Sequence, residues 1–508
     1  MIQQFERLDS FSKNILFLIC LVVTGFVIRI NYSLLDIPII LDSLDYFLVA
    51  NELAISGNVG EYSKQNLGWP LFLSIIFQIS RFENYFELMN IQRIFSVIFS
   101  TLAIVPVFLL SKKFFNSSIA LVGGTFFAFS PYIIENSFIG SNESLFIFLI
   151  GMFFVLFFQK EKNQVITSFI FLGLATIVRY EGILFILPAA IIFLNKFKNE
   201  KNYKKYFMIS LVLFSSSIIL MSFWRFSMGM SDGFIVNFIS GGSVVINEET
   251  IKGEPLETRF YLERGIFGLL EFSGRLLLPI CLFFVPYSII TLIKKQKKDF
   301  FNLILLAVFY LIVPIYAYGR GFEDIKYVFV LFPIFIICSL FLVEKISIKT
   351  QKNNLIIFIL IILIVSSSIV FLESRKSDKQ EILEVVKIAK IVHELPGKIN
   401  DYGTESYYVE PMYFGNIEFP IHSQDIQREH KVKRISGDTI EELMNDAKSK
   451  DLKYLAVSEK SNNKNFSDIY YNNQKYSFLV KIFDSENTHE KFKIKIFEID
   501  YGKLNLKN

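Results

Sequence analysis

The sequence alternates between long apolar blocks and short gaps rich in lysine. The apolar blocks approach the ~20 residues that an α-helix needs to cross a bilayer. A soluble domain has too little interior for this much apolar side chain, because 52% of the 508 residues are hydrophobic and 57 are Phe. The pattern predicts an all-α polytopic membrane protein with about eleven transmembrane helices, at roughly residues 14–33, 88–110, 118–136, 143–159, 164–178, 182–196, 206–223, 273–293, 300–318, 327–343 and 354–372.

Lysine clusters predict the topology of these helices. Trp69–Ser80 has only ~12 apolar residues, which favours a re-entrant or interfacial helix over a span. If that segment does not cross and Met1 lies inside, every lysine cluster between spans falls on the cytoplasmic side. The first block runs on to Arg29 without a small-residue cleavage pattern, so we interpret it as a retained anchor. The prediction is a multi-pass protein of the cell membrane whose C-terminal part is extracytoplasmic.

That C-terminal part has the pattern of a small soluble α/β domain. Lys453–Ser458 and Lys493–Ile499 alternate as strands do, and Lys379–Leu395 has the period of an amphipathic helix. The predicted organisation is therefore a transmembrane domain at 1–372, with outer loops at 34–87 and 224–272, followed by an extracytoplasmic α/β domain at 373–508.

Charge and composition exclude several classes of function. The net charge is only +4 and the lysines lie in loops between apolar blocks, so nucleic acid is not a predicted partner. The three cysteines lie inside apolar blocks, and we interpret them as small buried hydrophobic residues. All four histidines lie in the polar C-terminal part, which excludes a His-based metal site in the membrane.

Ionisable side chains gather at one end of the predicted spans. Such groups are costly at membrane depth and indicate function by default. Snorkelling and ion pairs between helices explain any one of them, but snorkelling would not select a single leaflet for the acids. The polar residues at or near the outer ends are Arg29, Asp42, Asp45, Arg93, Glu143, Arg179, Glu181, Arg225, Arg275, Arg320, Glu323, Asp324 and Lys326.

The first outer loop is the most informative of these regions. At helical spacing, Asp42, Tyr46 and Ala50 share one face. Asp42 also stands where a helix would begin, so a plain N-cap is its alternative role. Asp45 lies off that face, and a solvated surface position is equally consistent with its spacing.

Asp42-x-x-x-Tyr46-x-x-x-Ala50 resembles the acidic motif in the first outer loop of the GT-C glycosyltransferases, in particular the group of protein O-mannosyltransferases and lipid A aminoarabinose transferases. Many members carry Asp-Glu there, whereas this chain has Asp42-Ser43, and Asp45 is a candidate replacement for the missing carboxylate. Further similar segments follow in the family's order across about residues 14–345: Gly68-Trp69-Pro70-Leu71, Arg93, Ser130-Pro131, Asn142-Glu143-Ser144-Leu145, Leu172-Gly173-Leu174-Ala175, Arg179-Tyr180-Glu181, and Lys326-Tyr327 with Pro333.

The resemblance implies an inverting transferase of the hexosyl or mannosyl type. Its donor would be a polyprenyl- or dolichyl-phosphate sugar, and its acceptor a glycan, lipid or protein hydroxyl on the extracytoplasmic face. The leaving phosphate needs cations or hydrogen-bond donors, and the acceptor hydroxyl needs a base. The resemblance assigns the base to Asp42. A divalent cation, Mg or Mn, is possible at Asp42 because hard cations suit carboxylates, but the missing second carboxylate weakens that case.

The remaining predicted site residues bind substrate. Lys326 is the main candidate for the donor phosphate, with Arg320, Arg225 and Arg259 as lesser candidates. Glu143 and Glu181 bind sugar hydroxyls or brace an arginine, and an ion pair with Arg179 is favoured for Glu181. The full set of predicted substrate-binding residues is Asp45, Tyr46, Arg93, Glu143, Arg179, Glu181, Arg320, Lys326 and Tyr327.

Three other readings stay open on the sequence. A lipid-linked saccharide flippase or transporter would need charged or broken helices at the bilayer midplane and internal repeats, which the sequence lacks. An oligosaccharyltransferase would carry Trp-Trp-Asp-x-Gly, but the only tryptophans are Trp69 and Trp224. A non-catalytic membrane scaffold is disfavoured by the acids and bases gathered on one face.

Overall fold

The structure of the chain is a computed structural model. It describes residues 2–33, 42–57, 66–80, 85–227, 261–277, 284–294, 298–350, 353–375, 394–400, 435–459, 463–485 and 493–504, with a few shorter stretches between them. The chain divides into two units. The first comprises Met1–Leu34 and Asp42–Leu372, and the second comprises Leu35–Leu41 and Glu373–Asn508.

The first unit is helical. Its first half contains helices α1 (Ile2–Tyr32), α2 (Asp42–Ser56), α3 (Gly68–Ile79), α4 (Tyr85–Leu102), α5 (Ile104–Phe114), α6 (Ser117–Ala128), α7 (Pro131–Ser137), α8 (Glu143–Phe157), α9 (Lys162–Val178), α10 (Ile186–Phe197) and α11 (Tyr203–Ser227). Its second half contains α12 (Leu262–Leu277), α13 (Phe284–Lys294), α14 (Lys298–Tyr310), α15 (Ile312–Gly319), α16 (Phe332–Thr350) and α17 (Asn353–Ser374). Two 3₁₀ helices, Tyr180–Phe185 and Ile325–Leu331, lead into α10 and α16, and a short ribbon pairs β1 (Thr250–Ile251) with β2 (Glu254–Pro255).

Among the described residues, seven helices are long and apolar enough to cross a membrane, or eight if the bent pair α6–α7 counts as one span. The predicted all-α polytopic fold is confirmed, whereas the number eleven is not. The seven are Asn14–Tyr32, Phe86–Phe114, Tyr180–Phe197, Tyr203–Ser227, Lys298–Gly319, Ile325–Ile348 and Leu355–Ser374.

The other three predicted spans differ from the structure for identifiable reasons. Helices α8 and α9 have only 15 and 17 residues. Helix α8 is buried along most of its length, so its apolar character reflects packing against other helices as well as a membrane environment. The predicted span at 273–293 is described as the two helices α12 and α13, and residues 278–283 between them lie outside the described part of the chain.

A break between α6 and α7 bends that segment by 53°. Pro131 opens α7, where its missing N–H costs nothing, but it cannot continue the hydrogen bonding of α6. The buried Arg29 of α1 donates from Nη1 to the Ala128 carbonyl oxygen at 2.9 Å and from Nε to Ser100 Oγ at 3.0 Å. Arg29 therefore satisfies a carbonyl that the break exposes, which is a structural role.

Close helix contacts at glycine bring the site's supporting elements together. A Cβ at Gly173 of α9 would lie 2.6 Å from the Phe214 carbonyl oxygen of α11, and one at Gly68 would lie 2.6 Å from the Ile177 carbonyl oxygen. Small residues allow backbones to approach in this way inside membrane proteins. The C-terminal end of α9, which Arg179 of the candidate site directly follows, is therefore firmly held.

The second unit contains a five-stranded sheet of order β4-β3-β5-β7-β6. Its central strands β3 and β5 are parallel, and β7 pairs antiparallel with both β5 and β6. Both predicted strands are confirmed, whereas the predicted helix Lys379–Leu395 lies largely outside the described residues. The strands and the two helices that pack on them are β3 (Lys398–Asn400), β4 (Val432–Lys433), β5 (Leu452–Ser458), β6 (Leu479–Asp484), β7 (Ile494–Ile499), α18 (Ile440–Ser449) and α19 (Lys464–Tyr471).

Candidate active site

Helix α2 carries the predicted acidic motif. Asp42 is its first residue, with 60% of the side chain exposed, whereas Tyr46 and Ala50 on the same face are buried. The predicted helix start at Asp42 is thus observed. Beneath it, Phe47 packs on Phe77 of α3 with ring centroids 5.6 Å apart. The apolar side of α2 therefore fixes the helix while its first residue stays accessible.

Asp42 forms an ion pair with Lys326, the other principal residue of the predicted site. Lys326 Nζ lies 2.8 Å from Asp42 Oδ2, although 284 positions separate the two residues in the chain. The ammonium also lies 3.2 Å from Asp324 Oδ2 and 5.9 Å from the centre of the Tyr327 ring. The residues assigned to base and phosphate binding are therefore direct neighbours.

The pKa of Asp42 reflects this environment. Partial burial raises the pKa of the carboxyl group, but the charge of Lys326, its hydrogen bond and the charge of Arg179 outweigh that effect. The net result is a pKa below the ordinary value for an aspartate. Asp42 is therefore an ionised carboxylate at neutral pH, which can accept a proton.

A second cluster surrounds Arg179, which follows the last residue of α9. Its guanidinium binds Glu181 through both carboxylate oxygens, with Nη2 to Oε1 at 2.6 Å and Nε to Oε2 at 3.3 Å. Its Nη1 donates to Glu143 Oε1 at the start of α8. The favoured ion pair between Glu181 and Arg179 is confirmed. Such fork-shaped contacts hold a guanidinium rigidly.

Asn142 joins this cluster to helix α2. Its Nδ2 donates to Tyr46 Oη at 3.0 Å and to the Val178 carbonyl oxygen at 3.1 Å, and its Oδ1 accepts from Arg179 at 3.4 Å. Lys326 interacts electrostatically with Glu143, and Arg179 with Asp42. The two clusters therefore belong to one site built from α2, α8, α9 and the 3₁₀ helix Ile325–Leu331.

The loop before α8 is held by three buried side chains. The Gly140 carbonyl oxygen accepts from Trp69 Nε1 at 3.1 Å and from Gln92 Nε2 at 2.8 Å. The same Gln92 amide donates to the Ser43 carbonyl oxygen at 2.8 Å, next to Asp42. Arg93 donates from Nε to the Phe138 carbonyl oxygen at 2.9 Å. These contacts give Arg93, which was predicted to bind substrate, a role in holding the loop.

The other predicted site residues lie around this centre. Arg320 is buried, with Nη1 3.3 Å from Tyr316 Oη. Tyr327 belongs to an aromatic group with Tyr318 and Phe322. Asp45 lies one turn into α2 and is half-buried. Of the lesser candidates for the phosphate, Arg225 is buried in α11, whereas Arg259 lies outside the described residues.

Three supporting residues were not assigned a role from sequence. Asn142 directly precedes Glu143 in a segment that was recognised, and Asp324 stands two residues before Lys326, where an N-cap is common. For Asn142 and Asp324, the neighbouring residues in the sequence indicate a supporting role. No local pattern indicates one for Gln92, because its two acceptors lie 48 and 49 residues away along the chain.

The described residues do not fit a divalent cation at Asp42. No group of three His, Cys, Asp or Glu side chains able to hold a metal ion occurs in the described ranges. The Lys326 ammonium lies within contact of both Asp42 and Asp324, so a positive charge already stands beside these two carboxylates.

A sequence comparison and a comparison of folds both bear on this site. The family model described as dolichyl-phosphate-mannose-protein mannosyltransferase matches residues 67–221, a range that includes Glu143, Arg179 and Glu181. The resemblance to the GT-C glycosyltransferases is confirmed. Asp42 and Lys326 lie outside the matched range, so their assignment rests on the geometry and on the motifs. No curated protein matches the sequence.

Solved GT-C structures share the fold at low sequence identity. The apo structure of ArnT from Cupriavidus metallidurans gives a TM-score of 0.55 at 8% identity and covers 96% of this chain and 98% of ArnT. The apo Archaeoglobus fulgidus oligosaccharyltransferase gives 0.54 at 12% identity and covers 90% of this chain and 70% of that protein. The GT-C fold therefore extends over nearly the whole chain.

Proposed function

We propose that this GT-C protein transfers a hexose-type sugar, such as mannose, from a polyprenyl- or dolichyl-phosphate donor to an extracytoplasmic hydroxyl of a glycan, lipid or protein. The observation that carries the proposal is the contact between Asp42 and Lys326, which brings a carboxylate and an ammonium together at 2.8 Å. Among the structures with this fold, ArnT was solved with undecaprenyl phosphate, and the oligosaccharyltransferase AglB with a dolichol-phosphate and an inhibitory peptide. Both of those structures contain a lipid phosphate, the class of ligand that the proposal gives to Lys326.

The reaction would be a single displacement at the anomeric carbon. The acceptor oxygen attacks that carbon while Asp42 takes the hydroxyl proton, and the bond from the carbon to the phosphate oxygen breaks. The electron pair leaves with the lipid phosphate, whose negative charge Lys326 stabilises. One displacement inverts the anomeric configuration. A positioned base of this kind contributes typically ~10²–10⁴-fold to the rate.

Attack and departure occur on opposite sides of the anomeric carbon, so Lys326 and Asp42 must separate during turnover. Lys326 has a long flexible stem, and Asp42 is largely exposed. Donor phosphate would therefore attract the ammonium and leave the Asp42 carboxylate facing the acceptor. The ion pair describes the protein before the donor binds.

Glu143 is the proposed contact to the sugar. It is buried, its Oε1 is bound by Arg179, and its Oε2 accepts no hydrogen bond from the described residues. Buried carboxylate oxygens normally have a donor, and a sugar hydroxyl would supply one. Arg179 and Glu181 hold Glu143 in place, while Tyr46 and Tyr327 border the same site.

Labelled donors test the proposal. Membranes containing the protein are incubated with radiolabelled polyprenyl-phosphate hexoses, and label is followed into glycan, lipid and protein fractions. We expect one acceptor fraction to gain label, and we expect that gain to be absent with Asp42→Asn. Label that changes leaflet but stays on the lipid phosphate would instead indicate a flippase. No redistribution with any donor tried would favour the scaffold interpretation.

A further inference from the structure

Asp324 contacts Lys326 at two different atoms. Its Oδ1 accepts the Lys326 backbone N–H at 2.9 Å, and its Oδ2 lies 3.2 Å from Lys326 Nζ. The first contact caps the 3₁₀ helix Ile325–Leu331. One carboxylate therefore holds both the backbone and the ammonium of the same residue, which restricts an otherwise flexible lysine side chain.

Asp324 is itself anchored in the packed part of the first unit. Its carbonyl oxygen accepts from Tyr318 Oη at 3.0 Å, and the buried Tyr318 ring stacks on Phe272 of α12 at 4.7 Å and 18°. Helix α12 approaches so closely that a Cβ at Gly268 would lie 2.7 Å from Tyr318 Cβ. Movement of the Asp324 backbone would therefore break the hydrogen bond from Tyr318.

The two carboxylates that bind Lys326 differ in this respect. Asp42 belongs to a distant segment and is 60% exposed, whereas Asp324, with 47% of its side chain exposed, also accepts a hydrogen bond from the backbone N–H of Lys326. An ammonium has three N–H donors, so when Asp42 is displaced and Asp324 stays bound, two N–H groups remain for ligand oxygens. We propose that Asp324 is a positioning residue that keeps the Lys326 ammonium at the donor-phosphate subsite, so that phosphate replaces Asp42 and not Asp324 as its partner. This inference rests on the proposed function.

A purely electrostatic role and a positioning role for Asp324 predict opposite effects of removing its charge on the donor KM. If Asp324 were only one more anion near the phosphate, Asp324→Asn would lower the KM for the donor. If Asp324 positions the ammonium, the same change raises the donor KM by roughly 10-fold, as expected when a hydrogen bond to a charged group is lost. The N-cap survives in this variant because Asn caps a helix about as well as Asp. Asp324→Glu, which restores the charge on a longer arm, should recover part of the loss.

Glu323→Gln is the matched control. Glu323 is the adjacent acid, 75% exposed, and its ion pair is with Arg264 at 3.5 Å rather than with Lys326. The same charge change there should leave the donor KM unchanged within about 2-fold, as surface ion pairs contribute little.

The Lys326→Met background separates positioning from a general structural effect. In that background Asp324→Asn should add no further loss, because the two residues act as one unit. The affinity for polyprenyl phosphate, measured by titration calorimetry on purified protein, provides a readout when turnover is too low. A wild-type protein that neither transfers sugar nor binds polyprenyl phosphate overturns both proposals. An active wild type whose Asp324→Asn variant has an unchanged or lower donor KM, or whose losses add in the Lys326→Met background, overturns this inference alone.

Discussion

Asp42 is the residue on which the proposed chemistry depends. Asp42→Asn preserves size and keeps an oxygen that can accept from Lys326 Nζ, and the ion pair it replaces is largely exposed on the Asp42 side, so thermal stability should hardly change. Turnover should fall by ~10²-fold or more with donor binding kept, since the carboxylate that accepts the proton is gone. Steady-state kinetics and donor titration check both expectations. Asp45→Asn, one turn along α2, is the control and should be mild; an inactive Asp45 variant beside an active Asp42 variant would move the base to Asp45.

Lys326 also sets the pH range in which Asp42 works. The base acts only when ionised, so activity is present above the pKa of Asp42 and is lost as the pH falls through it. Lys326 holds that pKa below its ordinary value in the protein without donor, so the acid limb of kcat/KM in the wild type, which reports on the free enzyme, should lie below the ordinary pKa of an aspartate. Lys326→Met removes the strongest lowering influence, leaving that of Arg179, and should move the acid limb to higher pH, besides raising the donor KM. Measurement of kcat/KM for the donor from about pH 3 to pH 8 tests this; an acid limb that stays in place would contradict the ion pair as its cause.

At the scale of elements, Gln92 of α4 connects α2 with the loop that carries Asn142 and Glu143. Gln92 is fully buried, and its side-chain amide donates to the carbonyl oxygens of Ser43 and Gly140, each at 2.8 Å. Gln92→Leu should cost about 1–3 kcal/mol in stability, measured by thermal unfolding, because a buried hydrogen bond is lost at each carbonyl. Turnover should fall by ~10- to 100-fold through misplacement of Asp42, with a smaller change in donor affinity.

Gln159→Leu is the matched control for Gln92→Leu. The Gln159 side chain, just beyond the end of α8, donates to the Val155 carbonyl oxygen of that helix. Its backbone carbonyl oxygen accepts from Lys196 Nζ of α10 at 2.5 Å, a contact that the substitution leaves in place. Gln159→Leu should leave turnover within about 2-fold, since a local helix-end contact contributes little to the site. Equal effects of the two substitutions would show that Gln92 supports the fold in general and not the site.

At the scale of the whole molecule, the lysine distribution predicts which side of the membrane each end occupies. The N-terminus should lie inside and residues 373–508 outside the cytoplasm. A reporter that is active only outside the cytoplasm, fused after Asn508, should be active, and the same reporter fused after Lys160 should not. Activity of a cytoplasm-specific reporter at Asn508 would reverse the predicted topology.

The second unit is predicted to influence acceptor choice without supplying the base. Asp42, Lys326, Glu143 and Arg179 all belong to the first unit, which ends at Leu372. A chain ending at Leu372 should insert normally and keep transfer to a small soluble acceptor, while its preference among natural acceptors changes. Complete loss of transfer in a well-folded truncated protein would contradict this prediction.

Sequence alone determined the features that depend on local composition and spacing. Apolar blocks predicted an all-α membrane unit, because the bilayer requires long runs of hydrophobic residues. Alternation predicted strands β5 and β7, and the spacing of Arg179 and Glu181 allowed their ion pair to be foreseen. The family motifs predicted the GT-C fold, since each is a short segment that can be recognised without knowing its neighbours.

Only the tertiary structure decided the contacts between distant segments. No pattern in the sequence shows that Lys326 would reach Asp42 across 284 positions, that Asp324 would share the same ammonium, or that Gln92 would connect Ser43 with Gly140. Nor does hydropathy separate a buried helix such as α8 from a lipid-facing span, because both are apolar all round. Side-chain identity limits which interactions a residue can make, but packing of the helices selects which of them form.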